Sequence, residues 1–216
     1  MGLSFWKEKA ILYYRRNGFW KSVKQAFKKI KDAVFPESDI IYYADLIDLK
    51  NSGPIEQDGI LVVERKTSDE LSAAEKDALF EQVGQKMIEP QIAERFDRGA
   101  SAWFVYWQEQ VAGMVWTLAG DTMEPFYYFI PPKDVHVFNN VIFPKYRGKR
   151  INPALLETVL IRLSERGFIR AYIETLASNL AERKSLARTS FQPMGTARKK
   201  KRKNRQITQW SADLPE

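Results

Sequence analysis

Short apolar runs set the pattern of the chain from residue 39 onward. Residues 39–49 read as a strand, and a turn-rich stretch follows from Asn51 to Asp58. Gly59 to Glu64 reads as a second strand through Ile60, Leu61, Val62 and Val63. The period then lengthens: Leu71, Leu79, Val83 and Met87 form an apolar stripe. Ser68 or Ser72 can cap that helix, and Glu75 is spaced to complete a capping box on Ser72. Pro90 is expected to open a second helix that stops at Gly99. Ala102–Trp107 and Gln110–Leu118 predict a hairpin turning at Gln108-Glu109. Residues 119–133 hold several prolines around Phe126-Tyr127-Tyr128-Phe129, a tetrad that can line a pocket or form a short strand or lid. Asp134–Phe143 predicts a strand. In regular alternation Val135, Val137, Asn139 and Val141 share one face, and His136, Phe138, Asn140 and Ile142 the other. Pro153–Arg166 predicts a helix that buries Leu155, Leu156, Val159, Leu160 and Leu163 and stops at Gly167. A strand over Phe168–Leu176 follows, then a helix from Ser178-Asn179 to about Thr189. Strands near 192–198 and 206–212 make a final hairpin with a basic run at its turn.

The resulting order is β-β-α-α-β-β-β-α-β-α-β-β. It predicts an α/β (α+β) domain over residues 37–216, with a mixed sheet flanked by helices. Residues 1–36 form a separate N-terminal segment. There Phe19, Trp20, Val23, Phe27, Ile30 and Val34 recur at helical spacing, with lysines mainly on the other faces. Such a basic amphipathic helix can lie on a membrane surface, or pack its apolar stripe onto its own domain or a second subunit of an oligomer.

Composition sharpens this division. Of the net charge of +7, residues 1–35 contribute nine basic and two acidic residues, and residues 198–205 contribute seven more basic ones. The rest of the chain is therefore net acidic. Two basic segments on an acidic body favour an anionic membrane surface. They also suit a solvated turn or RNA, but no RNA-recognition motif accompanies them and nucleic acid is not expected. With no cysteine and only His136 as an imidazole, thiolate chemistry and multi-histidine metal sites are excluded, and no metal is expected. No signal peptide or bilayer-length apolar run is visible, so the expected location is the cytoplasm, peripheral on the inner membrane face.

The candidate chemistry gathers in Val141–Leu156. An apolar strand end runs into a basic loop, and the loop runs into a helix that opens at Asn152-Pro153. Asn152 suits an N-cap and Pro153 a first helical position. Free backbone N–H groups at the helix start, with Lys145, Arg147, Lys149 and Arg150, make an anion site suited to phosphate.

This stretch resembles the acyl-CoA-binding segment of the GNAT family of N-acetyltransferases, whose strand, basic glycine loop and helix hold the CoA pyrophosphate. Val141, Pro144, Tyr146, Arg147, Gly148, Lys149 and Ile151 match it, while Arg150 and Asn152 replace two family glycines. Asn179, Ala181, Arg183, Ser185 and Phe191 resemble a second family segment, with Leu186 where a tyrosine acid is frequent. The resemblance spans residue 39 to the end. It implies a mostly antiparallel GNAT sheet, acetyl-CoA as acyl donor and direct transfer to a primary amine. The backbones of Val141 and Phe143 would hold the pantetheine, an amide near Val141 would face the thioester with Ile142 among the cofactor-binding residues, and Arg147, Gly148, Lys149, Arg150, Ile151 and Asn152 would surround the pyrophosphate. Asn179 would face the pantetheine arm or a water.

For the base that frees the amine, His136 and Glu174 are the candidates, with Asp134 and Glu124 behind them and a water-mediated route beside them. Either the thiolate is protonated otherwise than by that tyrosine, or Tyr127, Tyr128 or Tyr172 acts in its place. An acceptor amine on an amino sugar or lipid-linked precursor follows from the basic helix and the aromatic loop. Two other classes stay open: a non-catalytic GNAT-fold adaptor for membrane or protein, and an RNA-associated acyltransferase.

Overall fold

The computed structural model describes residues 38–49, 59–83, 85–123, 126–127, 129–202 and 205–212. The N-terminal segment 1–36 and its boundary, Glu124 and Tyr128 lie outside the described residues. The predicted element order holds. Strands are β1 (Asp39–Asp45), β2 (Ile60–Arg65), β3 (Ser101–Trp107), β4 (Gln110–Ala119), β5 (Asp134–Ile142), β6 (Arg170–Leu176), β7 (Gln192–Arg202) and β8 (Arg205–Ser211). Helices are α1 (Ala73–Val83), α2 (Gln85–Asp97), α3 (Ile151–Glu165) and α4 (Leu180–Leu186).

The strands form one sheet in the order β2-β3-β4-β5-β6-β1-β7-β8. Only β5 and β6 pair in parallel, so the sheet is mixed and mostly antiparallel. Helices cover both faces. Leu155, Leu156, Val159, Leu160 and Leu163 of α3 pack against Ile40, Trp103, Val115, Val135 and Ile173. Each such fully buried side chain contributes about 2 kcal/mol. On the other face Leu71, Leu79 and Ile92 meet Phe104, Met114, Trp116 and Phe138.

The predicted β3–β4 hairpin is present, and its turn residues Gln108 and Glu109 take φ of 49° and 65°. Positive φ at both central positions matches the twist of the flanking strands. The Ser72 capping box also forms: Ser72 Oγ accepts from Glu75 N at 3.2 Å, and Ser72 N donates to Glu75 Oε2 at 2.7 Å.

Four local expectations are corrected and an open one is narrowed. Pro90 lies inside α2, not at its start. Helix α3 begins at Ile151, because Arg150 takes the left-handed N-cap conformation (φ 59°, ψ 20°), so Asn152 is not the cap and Pro153 is not its first residue. Strand β7 runs on to Arg202, so most of the basic run lies in paired strands rather than at a turn. In the aromatic connection, left open between pocket lining, short strand and lid, the described residues 120–123, 126–127 and 129–133 form no strand. Finally, β5 is not regular. Asn139 has φ of 49°, and the register against β4 shifts by one residue between Phe138 and Val141. This bulge moves Ile142 onto the α3 face with Val135 and Val137.

Candidate active site

Strands β5 and β6 pair over only three residues, from Asp134↔Arg170 to His136↔Tyr172. Beyond that point the Asn139 bulge bends β5 and the two strands part into a V. Two clefts meet at the opening. The larger, about 550 Å³, runs from Asn140, Val141 and Ile142 past the 146–150 loop and the start of α3 to α4. The smaller, about 280 Å³, lies between β1, β5 and β6 and is lined by Asp39, Phe138, Glu174 and Thr175, among others. Asn140, Asn179 and Glu182 line both clefts.

The larger cleft is basic at its outer end. Arg147, Arg150, Lys184 and Arg188 line it around the first turn of α3, whose backbone N–H groups have no intrahelical partner. Gly148 carries the loop through φ of 81° with open space around it. Arg147 Nε donates to Ile142 O at 3.0 Å, which ties the loop to the strand. Asn152 reaches across to α4, its Nδ2 donating to Ser185 Oγ at 2.9 Å. Charge, free N–H groups and an elongated shape suit a phosphorylated ligand.

The smaller cleft is acidic. The two base candidates prove to be partners: His136 Nε2 lies 2.9 Å from Glu174 Oε2. The parallel register of β5 and β6 puts both on one face. His136 is only 5% exposed, enclosed by Phe126 and Phe138, whose ring centroids lie 4.6 and 5.3 Å from its own. Glu174, with its side chain 30% exposed, is the member of the pair that reaches the cleft. The Tyr127 hydroxyl donates to Asp39, and burial with that carboxylate pushes its pKa far up. Tyr172 donates to buried Asp134 at 3.2 Å, and burial raises its pKa as well. Asp134 is thereby committed to β6 rather than to the cleft.

Asn179 caps α4, its Oδ1 accepting from Glu182 N at 3.4 Å. The Glu182 carboxylate returns the contact and is the group that sequence reasoning missed. Its Oε2 accepts from Asn179 Nδ2 at 2.7 Å and from Thr175 Oγ1 at 2.8 Å. Its Oε1 has a long contact of 3.5 Å to Asn140 Nδ2. Burial raises its pKa against the lowering effect of the Thr175 and Asn140 bonds, and the charge of Glu174 adds to the rise.

The sequence profile described as the acetyltransferase (GNAT) family matches residues 68–191. The chain belongs to the GNAT family. No curated protein matches it. Among solved structures it resembles a GNAT-family acetyltransferase from Colwellia psychrerythraea at 11% identity and a TM-score of 0.53, covering 81% of this chain and 55% of that one. It also resembles a tandem GNAT protein from the clavulanic acid biosynthesis pathway, at 16% identity and a TM-score of 0.52, covering 73% of this chain and 50% of that one. The chain thus spans about half the length of these two relatives, and at such identities they show the fold alone.

In this GNAT chain the V opens between β5 and β6. Of the residues the sequence pointed to, Val141, Ile142, Arg147, Gly148, Arg150, Ile151, Asn152 and Asn179 line the larger cleft. Two do not. Lys149 turns away, its Nζ lying 5.4 Å from the Trp107 ring centroid and 5.9 Å from that of Tyr146. Phe143 is buried in the core, and its N–H goes to Ala112 O at 2.9 Å.

That bond also corrects the backbone assignment. Alternate residues of an antiparallel strand turn their N–H groups to the same neighbour. Val141, opposite Met114, therefore turns toward β4 with Phe143, and Ile142 between them turns its N–H into the V. Leu186, in the place of the family's tyrosine, is fully buried in the core. Tyr146 and Ser185, matched by sequence only as family positions, also line the larger cleft, as do Lys184 and Arg188, which the sequence did not single out.

Proposed function

We propose that this protein transfers an acetyl group directly from acetyl-CoA to a primary amine. The observation that carries the reading is the meeting of a basic cleft and an acidic cleft at the V. The basic cleft would take the CoA diphosphate, and the acidic one the ammonium form of the acceptor. Glu174 would receive the amine proton, with His136 Nε2 fixing its carboxylate from behind. The Ile142 N–H would face the thioester carbonyl as charge develops on it. We assign the acceptor to amino sugars, free or on a nucleotide- or lipid-linked precursor. Support comes from the carboxylates Asp39 and Glu174 and the aromatic Phe138 in the acceptor cleft. Residues 1–36 and 198–205 would hold the protein on the cytoplasmic face of an anionic membrane.

Calorimetric titration with acetyl-CoA, for wild type and Arg147→Glu, tests the donor site. Hydrogen bonds to charged groups contribute about 1.5–3 kcal/mol, so the variant should lose about tenfold or more in affinity. Acetyl transfer to amino sugars, peptides and polyamines tests the acceptor, and activity confined to protein amines would refute the amino-sugar assignment. A second reading, a non-catalytic adaptor, is favoured by the chain Asn140–Glu182–Thr175, which bridges the two strands across the V. Wild type that binds no acetyl-CoA would select it.

A further inference from the structure

We propose that Glu182 is the proton donor to the departing CoA thiolate. This rests on the acetyl-transfer reading above. An acyl donor in one cleft and an amine in the other must bring their reacting atoms to the boundary the clefts share. The residues on that boundary are Asn140, Asn179 and Glu182, and only Glu182 carries a dissociable proton.

Its carboxyl is held for the task. Oε2 is fixed by Thr175 Oγ1 at 2.8 Å and Asn179 Nδ2 at 2.7 Å. Oε1, with its single long contact of 3.5 Å, is the oxygen left to bear the proton. The neighbouring donors are committed elsewhere. The Tyr127 hydroxyl serves Asp39, that of Tyr172 serves Asp134, and the His136 Nε2 faces Glu174. Burial favours the neutral acid. Among charged and titratable groups, Glu174 acts on Glu182 directly and Tyr42 of β1, paired with Arg183, is also close; Asp39 shares the acceptor cleft with it, and Arg147, Arg150, Lys184 and Arg188 share the donor cleft.

In the step, the bound ammonium first gives one proton to solvent; the freed amine lone pair then forms the C–N bond, and the C–S bond breaks with its electron pair on sulfur. The sulfur takes the proton from Glu182 Oε1, giving the free thiol. The amine proton passes to the Glu174 carboxylate. Solvent then returns a proton to Glu182 and removes one from Glu174, so the cycle balances.

The test follows thiol release from acetyl-CoA across pH, with glucosamine, spermidine and a lysine peptide as acceptors. Glu182→Gln should lower kcat by about 100-fold or more, the range for loss of an acid–base group, and abolish the high-pH limb of the profile. Its acetyl-CoA affinity by calorimetry should stay within a few-fold of wild type. Thr175→Val removes a bond that stabilises the carboxylate, so it should move the same limb to higher pH, and it decides the matter should Glu182→Gln not fold. Wild-type kcat and an intact limb in Glu182→Gln overturn the proposal, as does an unmoved limb in Thr175→Val. A rate loss in Glu182→Gln that merely tracks lost acetyl-CoA binding overturns it too. Wild type that fails to bind acetyl-CoA, or binds it and releases no thiol to any amine, instead fells the transfer reading and this proposal with it.

Discussion

Glu75 shows how much of a single residue's role depends on distant chain. It is fully buried in α1 and pairs there with Arg65. Arg65 Nε lies 3.1 and 3.2 Å from its two oxygens, and the Tyr106 hydroxyl donates to it at 2.8 Å. Glu75→Ala leaves these donors facing an apolar gap. Breaking a buried pair in this way costs about 3–5 kcal/mol, and the part-exposed Arg65 argues for the lower end. Urea unfolding should show that loss, and a change below about 1 kcal/mol would mean that water replaces the carboxylate. The Ser72–Glu75 box was legible because both partners lie within one helical turn. Arg65 and Tyr106 were not, because they arrive from β2 and β3. His136 and Glu174 were legible as single candidates, and only the parallel register of β5 and β6 makes them one pair. Glu182 went unseen for a different reason. Its spacing from Asn179 reads as an ordinary helix start, and the cap it forms is real.

At the scale of elements, alternation and turn residues fixed the order of strands and helices, because each signal is local. The details that shape the site were hidden, because they depend on which strand lies alongside. The Asn139 bulge is one. Gly113 is another. A Cβ added there would stand 2.5 Å from Val141 O and 2.6 Å from Ile142 Cδ1. The glycine thus lets β4 lie close against the end of β5, where Ile142 turns its N–H into the V. Gly113→Ala must push a backbone carbonyl aside, which cannot be relieved by a rotamer change. A stability loss of about 1–3 kcal/mol is expected from such overpacking. Because the displaced strand is the wall of the donor cleft, acetyl-CoA affinity should fall with it. Thermal unfolding and calorimetry on the one variant check both effects. Lost stability with unchanged affinity would show that the strand end yields without disturbing the cleft.

Across the whole molecule, charge is segregated. Residues 1–35 and 198–205 each carry a net charge of +7 on a body that is net acidic. Of the run at 198–205, residues 198–202 and Arg205 sit in β7 and β8 at the edge of the sheet, beyond β1 from the V. Each lysine or arginine brought to an anionic surface contributes about 1 kcal/mol, and the effect fades beyond about 10 Å of salt-screened water. Two such segments would therefore act together where one alone is marginal. The full chain should sediment with vesicles containing phosphatidylglycerol or phosphatidylserine and remain in solution with neutral phosphatidylcholine. Removing residues 1–36 should release most of it, and raised salt should weaken what the hairpin retains. Aromatic residues on the N-terminal face, Trp20 and Phe27 among them, would keep part of the full chain bound at salt that frees the truncated form. Equal sedimentation of both forms, or none on anionic vesicles, would leave the N-terminal segment to pack against protein. The V would then meet its acceptor in solution rather than at a membrane surface.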